Sequence, residues 1–518
     1  MFTHLSATRV RMFSFVRRLM VQTILSLVAL LATSDSLFSA DLSPIPTESW
    51  QYRELDWLLL YPMACSDFQM TTRPYLRRDV HRLLDQSQSR GNTAIEWKLD
   101  KLRSEYSGAD TCSSTSLSKV IVRNKVSPYS ISHFADSLRP LFRFGLKNET
   151  AISYGGNLTL YLRGLLENKG HLDSSFRGKR WKENLTGYLD YGLLTYRRGG
   201  FTFQYGRSFR VWGPGDSDRL LLSDNSPAFD QIAAQFGYKT LLFQTWLTRL
   251  DDYHGNAGDP VSRYFAGHRL SFKPRHNLEI GVSETVLYGR EAGPDWAYLN
   301  PFLPYYWEQF NTAREDDNIY MGADFVWWPF EATRVYGELM LDDFQIDFVS
   351  ETQQIGVDLG ISRLGFWNID RLKVDLQYTL VKNYVYGQNR PQNIFTFNGV
   401  IIGSSLGPDS DRIRYAAAYA LTRNITVTFG GAYRRRGEGR VTDRQDVILP
   451  RHQKFPSGTV EKTWDNHIDV TVLYGSTLDL QIRVGHYHID NLANTSENVD
   501  SPYAGINIQY DFQRWLKL

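Results

Sequence analysis

The chain has 518 residues, and its 58 Lys and Arg against 56 Asp and Glu give a formal net charge of +2. This length exceeds one ordinary compact domain, and the nearly balanced charge gives no support to a nucleic-acid-binding protein, which would have a strongly basic domain. Aromatic residues make up 14% of the chain and Gly is abundant at 39 residues, yet the mean hydropathy is polar at -0.37. This combination favours many short strands with aromatic girdles over a helical membrane protein.

Residues 1–40 are predicted to be a secretory signal peptide. An apolar run at residues 21–32 is followed by small and polar residues, and cleavage after Ser36 and cleavage after Ala40 both fit. Four arginines precede the run: Arg9, Arg11, Arg17 and Arg18. The run is shorter than the roughly 20 apolar residues that a spanning helix needs.

Cys65 and Cys112 are the two cysteines of the chain, and both precede the region of alternating residues described below. Export to an oxidising compartment would allow them to form a disulfide. Two free thiols are the equally weighted alternative, because the sequence does not give the distance between the two residues.

Residues 41–118 are predicted to form a small periplasmic helical bundle. A capping-box pattern at residues 93–96 opens a run in which Ile95, Leu99 and Leu102 recur at helical spacing. The segment that follows Arg73-Pro74 carries a second apolar stripe. We expect three short amphipathic helices.

Residues 119–518 are predicted to form a transmembrane antiparallel β-barrel. Within residues 372–380 every second side chain is apolar and the others are polar, so that one face meets lipid and the other meets water. Short connections alternate with long polar loops, which is typical of outer-membrane barrels. Counting gives 17 strands from about Arg139 onward. Because such a barrel needs an even number, we place one more strand near residues 120–133 and expect about 18.

The fold class is therefore predicted as predominantly β, with a barrel of about 18 strands after a small α-helical bundle. The last strand, at residues 504–512, alternates and the chain ends near Trp515. This pattern resembles the signal read by the barrel-assembly machinery, which we expect as a partner during biogenesis.

Several short motifs, taken in order, resemble the Wzi-type capsule assembly family over nearly the whole mature chain. They are Arg-Ser-Phe-Arg-Val-Trp-Gly-Pro-Gly at 207–215, Leu-Leu-Leu-Ser at 220–223, Gly-His-Arg-Leu at 267–270, Gly-Glu-Leu-Met-Leu-Asp-Asp-Phe at 337–344 and Leu-Gly-Pro-Asp-Ser-Asp at 406–411. Trp212 stands where better-known members have a pair of aromatic residues, and Asp216 replaces an aromatic residue.

This resemblance implies an outer-membrane barrel that acts as a lectin-like factor, without catalysis, and helps to attach or assemble capsular polysaccharide or exopolysaccharide at the cell surface. It also implies contact with outer-membrane lipid and lipopolysaccharide, and we expect a monomer. The alternative is an outer-membrane channel or passive transporter for sugars or small solutes.

Ten residues in or beside the predicted outer loops are candidates for polysaccharide contact. Aromatic faces stack on sugar rings, Asn and Asp bind hydroxyl groups, and Arg attracts acidic units. The candidates are Trp212, Asn300, Tyr305, Tyr306, Trp307, Asp409, Arg434, Arg435, Arg436 and Arg440. As alternatives, the aromatic residues belong to an interfacial girdle or to loops folded into the lumen, and the arginines bind lipopolysaccharide phosphates or luminal acids.

We expect no catalytic residues, no metal site and no cofactor. Adjacent carboxylates at 316–317 and 342–343 point to opposite faces of a strand, so neither pair forms an acid and nucleophile couple. His486 and His488 share a strand face without a third ligand, and we interpret them as luminal polar residues.

Overall fold

The computed structural model describes residues 41–62, 68–110, 120–135, 138–172, 178–182, 184–255, 260–291, 293–311, 317–343, 353–443 and 454–517. The predicted signal peptide and both cysteines, Cys65 and Cys112, lie outside these residues, as does Asp316.

Three helices precede the barrel: α1 (Trp50–Leu58), α2 (Arg77–Gln86) and α3 (Thr93–Asp110). The side chain of Ser49 caps α1 by accepting a hydrogen bond from the backbone N–H of Gln51. Asn92, rather than the predicted capping box at Thr93, caps α3, because its Oδ1 accepts from the N–H groups of the second and third helical residues. None of the described helices is long and apolar enough to cross a membrane.

Eighteen antiparallel strands among the described residues close into one barrel, which confirms the predicted fold class. They are β1 (Val120–Ala135), β2 (Leu138–Tyr154), β3 (Leu158–Asn168), β4 (Leu185–Arg198), β5 (Phe201–Ser208), β6 (Phe229–Tyr238), β7 (Leu241–Arg249), β8 (Ser262–Arg275), β9 (Leu278–Arg290), β10 (Asn318–Phe330), β11 (Thr333–Asp343), β12 (Gln354–Leu364), β13 (Leu372–Val381), β14 (Ser410–Ala420), β15 (Ile425–Arg436), β16 (Glu461–Tyr474), β17 (Leu478–Asp490) and β18 (Val499–Tyr510 and Phe512–Lys517).

The barrel closes between its first and last strands. β1 pairs with both segments of β18, with Tyr129 opposite Gln509 and Val126 opposite Phe512. The additional strand that was placed near residues 120–133 is therefore β1. Its pairing leaves no free edge at the seam, since β1 also pairs with β2 along most of its length.

The alternation in β13 separates the two faces of the wall. The outward-facing Leu376 is 49% exposed, whereas the inward-facing Lys373 and Gln377 are buried against the contents of the lumen. Because neighbouring strands pair in register, the same separation continues around the barrel.

Short turns lie at one end of the barrel and long loops at the other, and we call these the short-turn end and the long-loop end. The helices fill the short-turn end, because their apolar core also contains Val326, Trp328 and Tyr336 of the wall. From the long-loop end, residues 209–228 fold into the lumen, and we call them the inward loop. Of the two alternatives given for this loop, the outer loop surface and the loop folded into the lumen, the second is observed.

Candidate functional site

The helical region and the inward loop meet inside the lumen. Residues Thr72–Arg73 form a two-residue antiparallel ladder with Val211–Trp212. Glu279 of β9 supports this ladder by accepting hydrogen bonds from Thr71 N at 3.1 Å and Thr71 Oγ1 at 2.7 Å. Segments that enter from opposite ends of the barrel are thus joined by backbone hydrogen bonds.

The inward loop is packed as tightly as a protein core. Leu220, Leu221 and Leu222 are each at most 1% exposed, and they pack in one cluster with Trp212. Glu338 of β11 accepts hydrogen bonds from Leu220 N at 3.0 Å and Leu221 N at 3.2 Å. The loop is therefore a fixed part of the barrel interior.

A polar cavity of about 600 Å³ remains between α1, the inward loop and the wall formed largely by β13–β18. Its charged lining residues include Arg53, Asp56, Arg73, Asp216, Arg219, Lys373, Asp375, Arg414, Asp469 and Arg483. Arg219 is 2% exposed, and its Nε and Nη2 have no hydrogen-bond partner among the described residues. Burial lowers the pKa of Arg219, and the neighbouring Arg73 lowers it further.

Three carboxylates beside this cavity, those of Asp56, Asp216 and Asp375, have oxygens within 4.8 Å of one another. Their negative charge is offset by two cations of the wall. Lys373 Nζ lies 3.1 Å from Asp375 and also contacts Asp56, and Arg334 Nη2 lies 2.9 Å from Asp56. We interpret the cluster as an ion-pair network that fixes α1 to the wall.

A group of arginines lies on the inner face of β14 and β15 toward the long-loop end. We call Arg412, Arg414, Arg434 and Arg436 the arginine patch. Arg412 stands directly opposite Arg434 in the strand register. Like charges at such positions destabilise a strand pair unless acidic partners offset them.

Two members of the arginine patch form ion pairs with acidic side chains, and two do not. Arg412 contacts Asp218 of the inward loop, and Arg434 Nη2 lies 2.5 Å from Glu461. In the part of the chain that the structure describes, Arg414 and Arg436 have no ion-pair partner, and Arg414 is exposed to the interior. Arg436 stands opposite Glu461 in the strand register without forming an ion pair with it, and Arg414 Nη1 donates to Ser217 Oγ at 3.3 Å. Both guanidinium groups keep further donors for a ligand.

Strand alternation divides the predicted arginine cluster. Arg434 and Arg436 point inward, whereas Arg435 lies on the outer face, where it binds Asp411 through Nε at 2.9 Å. Arg440 donates to the backbone oxygens of Gly437 and Gly439. The expectation of one continuous patch formed by all four is wrong.

Three of the aromatic and polar candidates are buried, contrary to the expectation that they form an accessible loop surface. Trp212 is 1% exposed inside the lumen, and Tyr305 is fully buried. Asp409 is also buried, and its carboxylate accepts hydrogen bonds from Gly439 N and Ser457 N. This carboxylate holds two loops together.

The other three candidates, Asn300, Tyr306 and Trp307, are exposed, but they do not lie beside the arginine patch. They belong to residues 293–311, which fold back against the outside of the barrel wall through hydrogen bonds to Glu284. We call residues 293–311 the flap.

The interpretation of His486 and His488 as luminal residues is wrong. They continue the outward face of β17, on which Val484 is 58% exposed. His488 contacts Asp490 at 3.1 Å, and His486 contacts Asp500. These ion pairs belong to the outer wall near the long-loop end.

One exposed basic feature was missed in the sequence. Residues Lys179–Trp181 form a short strand on β4, in which Trp181 is 58% exposed. Lys182 Nζ lies 5.3 Å from the centre of the Trp181 ring. The signal was the run Lys-Arg-Trp-Lys within a predicted long loop.

The family model of the capsule assembly protein Wzi matches residues 125–501, which cover most of the barrel. The chain belongs to the Wzi family. The predicted resemblance is therefore confirmed, and the Wzi-family barrel described above lies in the outer membrane. A search of curated protein sequences found no match.

One solved structure shows the same fold, and two others are less similar. The Wzi protein of Escherichia coli, described as a carbohydrate-binding β-barrel involved in group 1 capsule assembly, gives a TM-score of 0.61 at 15% identity, with 91% of this chain and 99% of that chain covered. OprD of Pseudomonas aeruginosa gives 0.45 at 12% identity, covering 76% of this chain and 95% of that one. OccAB4 of Acinetobacter baumannii gives 0.46 at 9% identity, covering 76% and 98%.

Proposed function

We propose that this Wzi-family barrel binds an acidic surface polysaccharide at its long-loop end and helps to attach or assemble it at the cell surface, without a catalytic step. Family membership and the carbohydrate binding described for the Escherichia coli protein support this role. The observation that carries the proposal is the arginine patch, in which Arg414 and Arg436 form no ion pair among the described residues.

The chemistry of the patch favours an acidic polymer over a neutral one. A guanidinium group forms paired hydrogen bonds to a carboxylate, and the planar fork suits uronate units of a polysaccharide. Each such contact neutralises charge, so binding is expected to weaken as the salt concentration rises.

The proposed orientation places the long-loop end outside the cell and the helical bundle, residues 41–118, at the periplasmic side. Short periplasmic turns and long outer loops are the usual arrangement of outer-membrane barrels. In this orientation Arg412, Arg434 and Arg436 lie toward the medium, and Arg414 lines the cavity beside the inward loop. The helices close the opposite end of the lumen. Contacts with outer-membrane lipid, lipopolysaccharide and the barrel-assembly machinery follow from the same location, and a monomer remains our prediction.

A channel for sugars or small solutes is less well supported. An 18-stranded barrel encloses a lumen wide enough for water unless protein fills it. Here the Thr72–Arg73 ladder with Val211–Trp212 occupies the interior. We expect the purified protein to give no conductance steps in planar bilayers, and stable steps would favour the channel.

A glycosidase is also poorly supported by the carboxylates that the structure describes. Asp317 is bound by Arg290 at 2.7 Å and by Tyr298 Oη at 2.7 Å, and Asp342 accepts a hydrogen bond from Tyr386 N. Asp317 and Asp342 are thus engaged in structural contacts.

Direct binding tests the proposal with two defined probes, polygalacturonate as an acidic polysaccharide and dextran as a neutral one. We expect the purified protein in detergent to bind polygalacturonate, with an affinity that falls with salt, and to bind dextran weakly. The double variant Arg414→Gln, Arg436→Gln is expected to weaken binding about tenfold, equivalent to ~1.4 kcal/mol. Arg435→Gln is the matched control, since Arg435 lies on the same strand but faces outward. Equal binding of both polymers, or equal loss in the control, would contradict the proposal.

A further inference from the structure

The flap has one face packed tightly against the outside of the barrel. Its Tyr298 and Tyr305 are buried, and they cluster with Val286 and Tyr288 on the outward face of β9. Tyr298 Oη donates to Asp317 at 2.7 Å. The flap is therefore a packed layer on the barrel wall.

The flap also covers an ion pair on the outer wall. Glu284 is the central residue of the 13-residue strand β9, and it shares the outward face with the exposed Val282. Its carboxylate contacts His268 Nε2 at 3.1 Å and accepts hydrogen bonds from Tyr305 N at 2.8 Å and Tyr306 N at 2.7 Å. A charge at this height on a lipid-facing wall is unfavourable. The flap shields it, so the flap lies at a depth where the rest of the wall meets lipid.

The other face of the flap is aromatic and exposed. Its large exposed side chains are Trp296, Leu299, Phe302, Tyr306, Trp307 and Phe310. Phe302 stacks on the outward-facing Phe243 of β7, with ring centres 6.0 Å apart and planes 9° apart. The aromatic face of the flap is thus continuous with the apolar wall of the barrel.

We propose that the exposed face of the flap is embedded in the outer leaflet and contacts the acyl chains of its lipid. Residues 293–311 contain no Lys or Arg, but they contain Asp295 and Glu308. Such a surface offers no cation to a phosphate headgroup or to an acidic polysaccharide, whereas its aromatic residues suit hydrocarbon and the membrane interface. Asn300, Tyr306 and Trp307 then belong to the lipid contact and not to the polysaccharide site.

Photo-crosslinking in intact cells tests this proposal. The photoreactive residue p-benzoylphenylalanine replaces Phe302 in one variant and Phe310 in a second. Phe144, which is 59% exposed on the outward face of β2, is the lipid-facing control, and Trp181, which is 58% exposed on the β4 hairpin, is the water-facing control. Folded protein is first separated from unfolded protein by its altered gel mobility. Adducts on the folded protein are then identified by mass spectrometry.

We expect lipid acyl adducts at Phe302 and Phe310 in amounts comparable to Phe144, and none at Trp181. Crosslinks at the flap positions to a second copy of this chain would overturn the proposal and make the flap an interface between copies. Adducts at Phe144 alone would also overturn it, because the flap would then not contact lipid. These results do not depend on the arginine patch, so they separate this proposal from the proposed polysaccharide binding.

Discussion

Thr72 lies directly opposite Trp212 in the ladder that joins the N-terminal segment to the inward loop. The backbone N–H of Gly213 extends this contact by donating to the carbonyl oxygen of Thr71 at 2.9 Å. The two segments enter the barrel from opposite ends, so displacement of one removes hydrogen-bond partners of the other. Closure of the lumen therefore depends on both segments.

Gly213→Val is expected to disrupt this closure. Gly213 has a φ of +112°, and a Cβ atom there would lie 2.6 Å from Glu338 Oε2. A β-branched residue is strained in this conformation. It would also displace the Glu338 carboxylate, which accepts hydrogen bonds from Leu220 N and Leu221 N, so we expect the inward loop to move. We expect conductance steps in planar bilayers from this variant and none from the wild type.

Gly293→Val is the matched control for this variant. Gly293 has a similar φ of +114°, but a Cβ atom there has no neighbour within 4 Å among the residues described. The control should remain closed. Equal conductance in both variants, or in neither, would contradict the role assigned to the inward loop.

Asp56→Asn is expected to loosen the helical region. Lys373 and Arg334 would lose the carboxylate that binds both of them inside the barrel. Removal of one partner from a buried ion pair costs about 3–5 kcal/mol. The free energy of unfolding in urea should fall accordingly. Asp100→Asn removes an exposed ion pair with Arg423 at 3.6 Å. This control should change the free energy of unfolding by less than about 1 kcal/mol.

The contribution of Asp56 should also depend on pH. Burial alone would raise the pKa of Asp56, but the charges of Lys373 and Arg334 hold it well below its usual range. A depressed folded pKa gives stability that is present above the unfolded value of about 3.9 and is lost as the pH falls through the folded value. The difference in stability between wild type and Asp56→Asn should therefore be constant from about pH 5 to pH 8 and should shrink below about pH 4. A difference that shrank at neutral pH would contradict this assignment.

The strand pattern was predictable because a lipid-facing wall forces every second residue to be apolar. This period places Leu376 outward and Lys373 inward, as observed, and it also places His486 and His488 on the outer face with Val484. The prediction that these histidines face the lumen was wrong because it followed from their polarity and not from their position in the strand alternation.

Loop positions were not predictable by the same rule, because the alternation of apolar and polar residues holds only within a strand. The apolar run Leu220–Leu221–Leu222 inside a loop was the available signal that residues 209–228 fold inward, because such side chains avoid water. The burial of Trp212 follows from that packing. Asp411 stands directly opposite its partner Arg435, whereas Glu461 stands opposite Arg436 and pairs diagonally with Arg434. A single sequence does not state these registers.

Glu284→Ala is expected to release the flap from the wall. The N–H groups of Tyr305 and Tyr306 would lose their acceptor, which costs about 1–3 kcal/mol when the groups remain buried. Hydrogen–deuterium exchange at these two amides should become faster. Asp230→Ala is the control, because it removes an outward-facing carboxylate that pairs with Arg207 away from the flap. Unchanged exchange in Glu284→Ala would contradict the assigned role of this carboxylate.

The most direct test of polysaccharide attachment compares cell-bound with released polysaccharide in a strain that lacks the gene. The strain is complemented with wild type, with the double variant Arg414→Gln, Arg436→Gln, or with the single variant Arg435→Gln. The amount of folded protein in the outer membrane is matched among these strains. We expect the deletion and the double variant to release polysaccharide into the medium at unchanged total synthesis, whereas wild type and Arg435→Gln retain it on the cell. Full retention by the double variant, or retention in the deletion strain itself, would contradict the account.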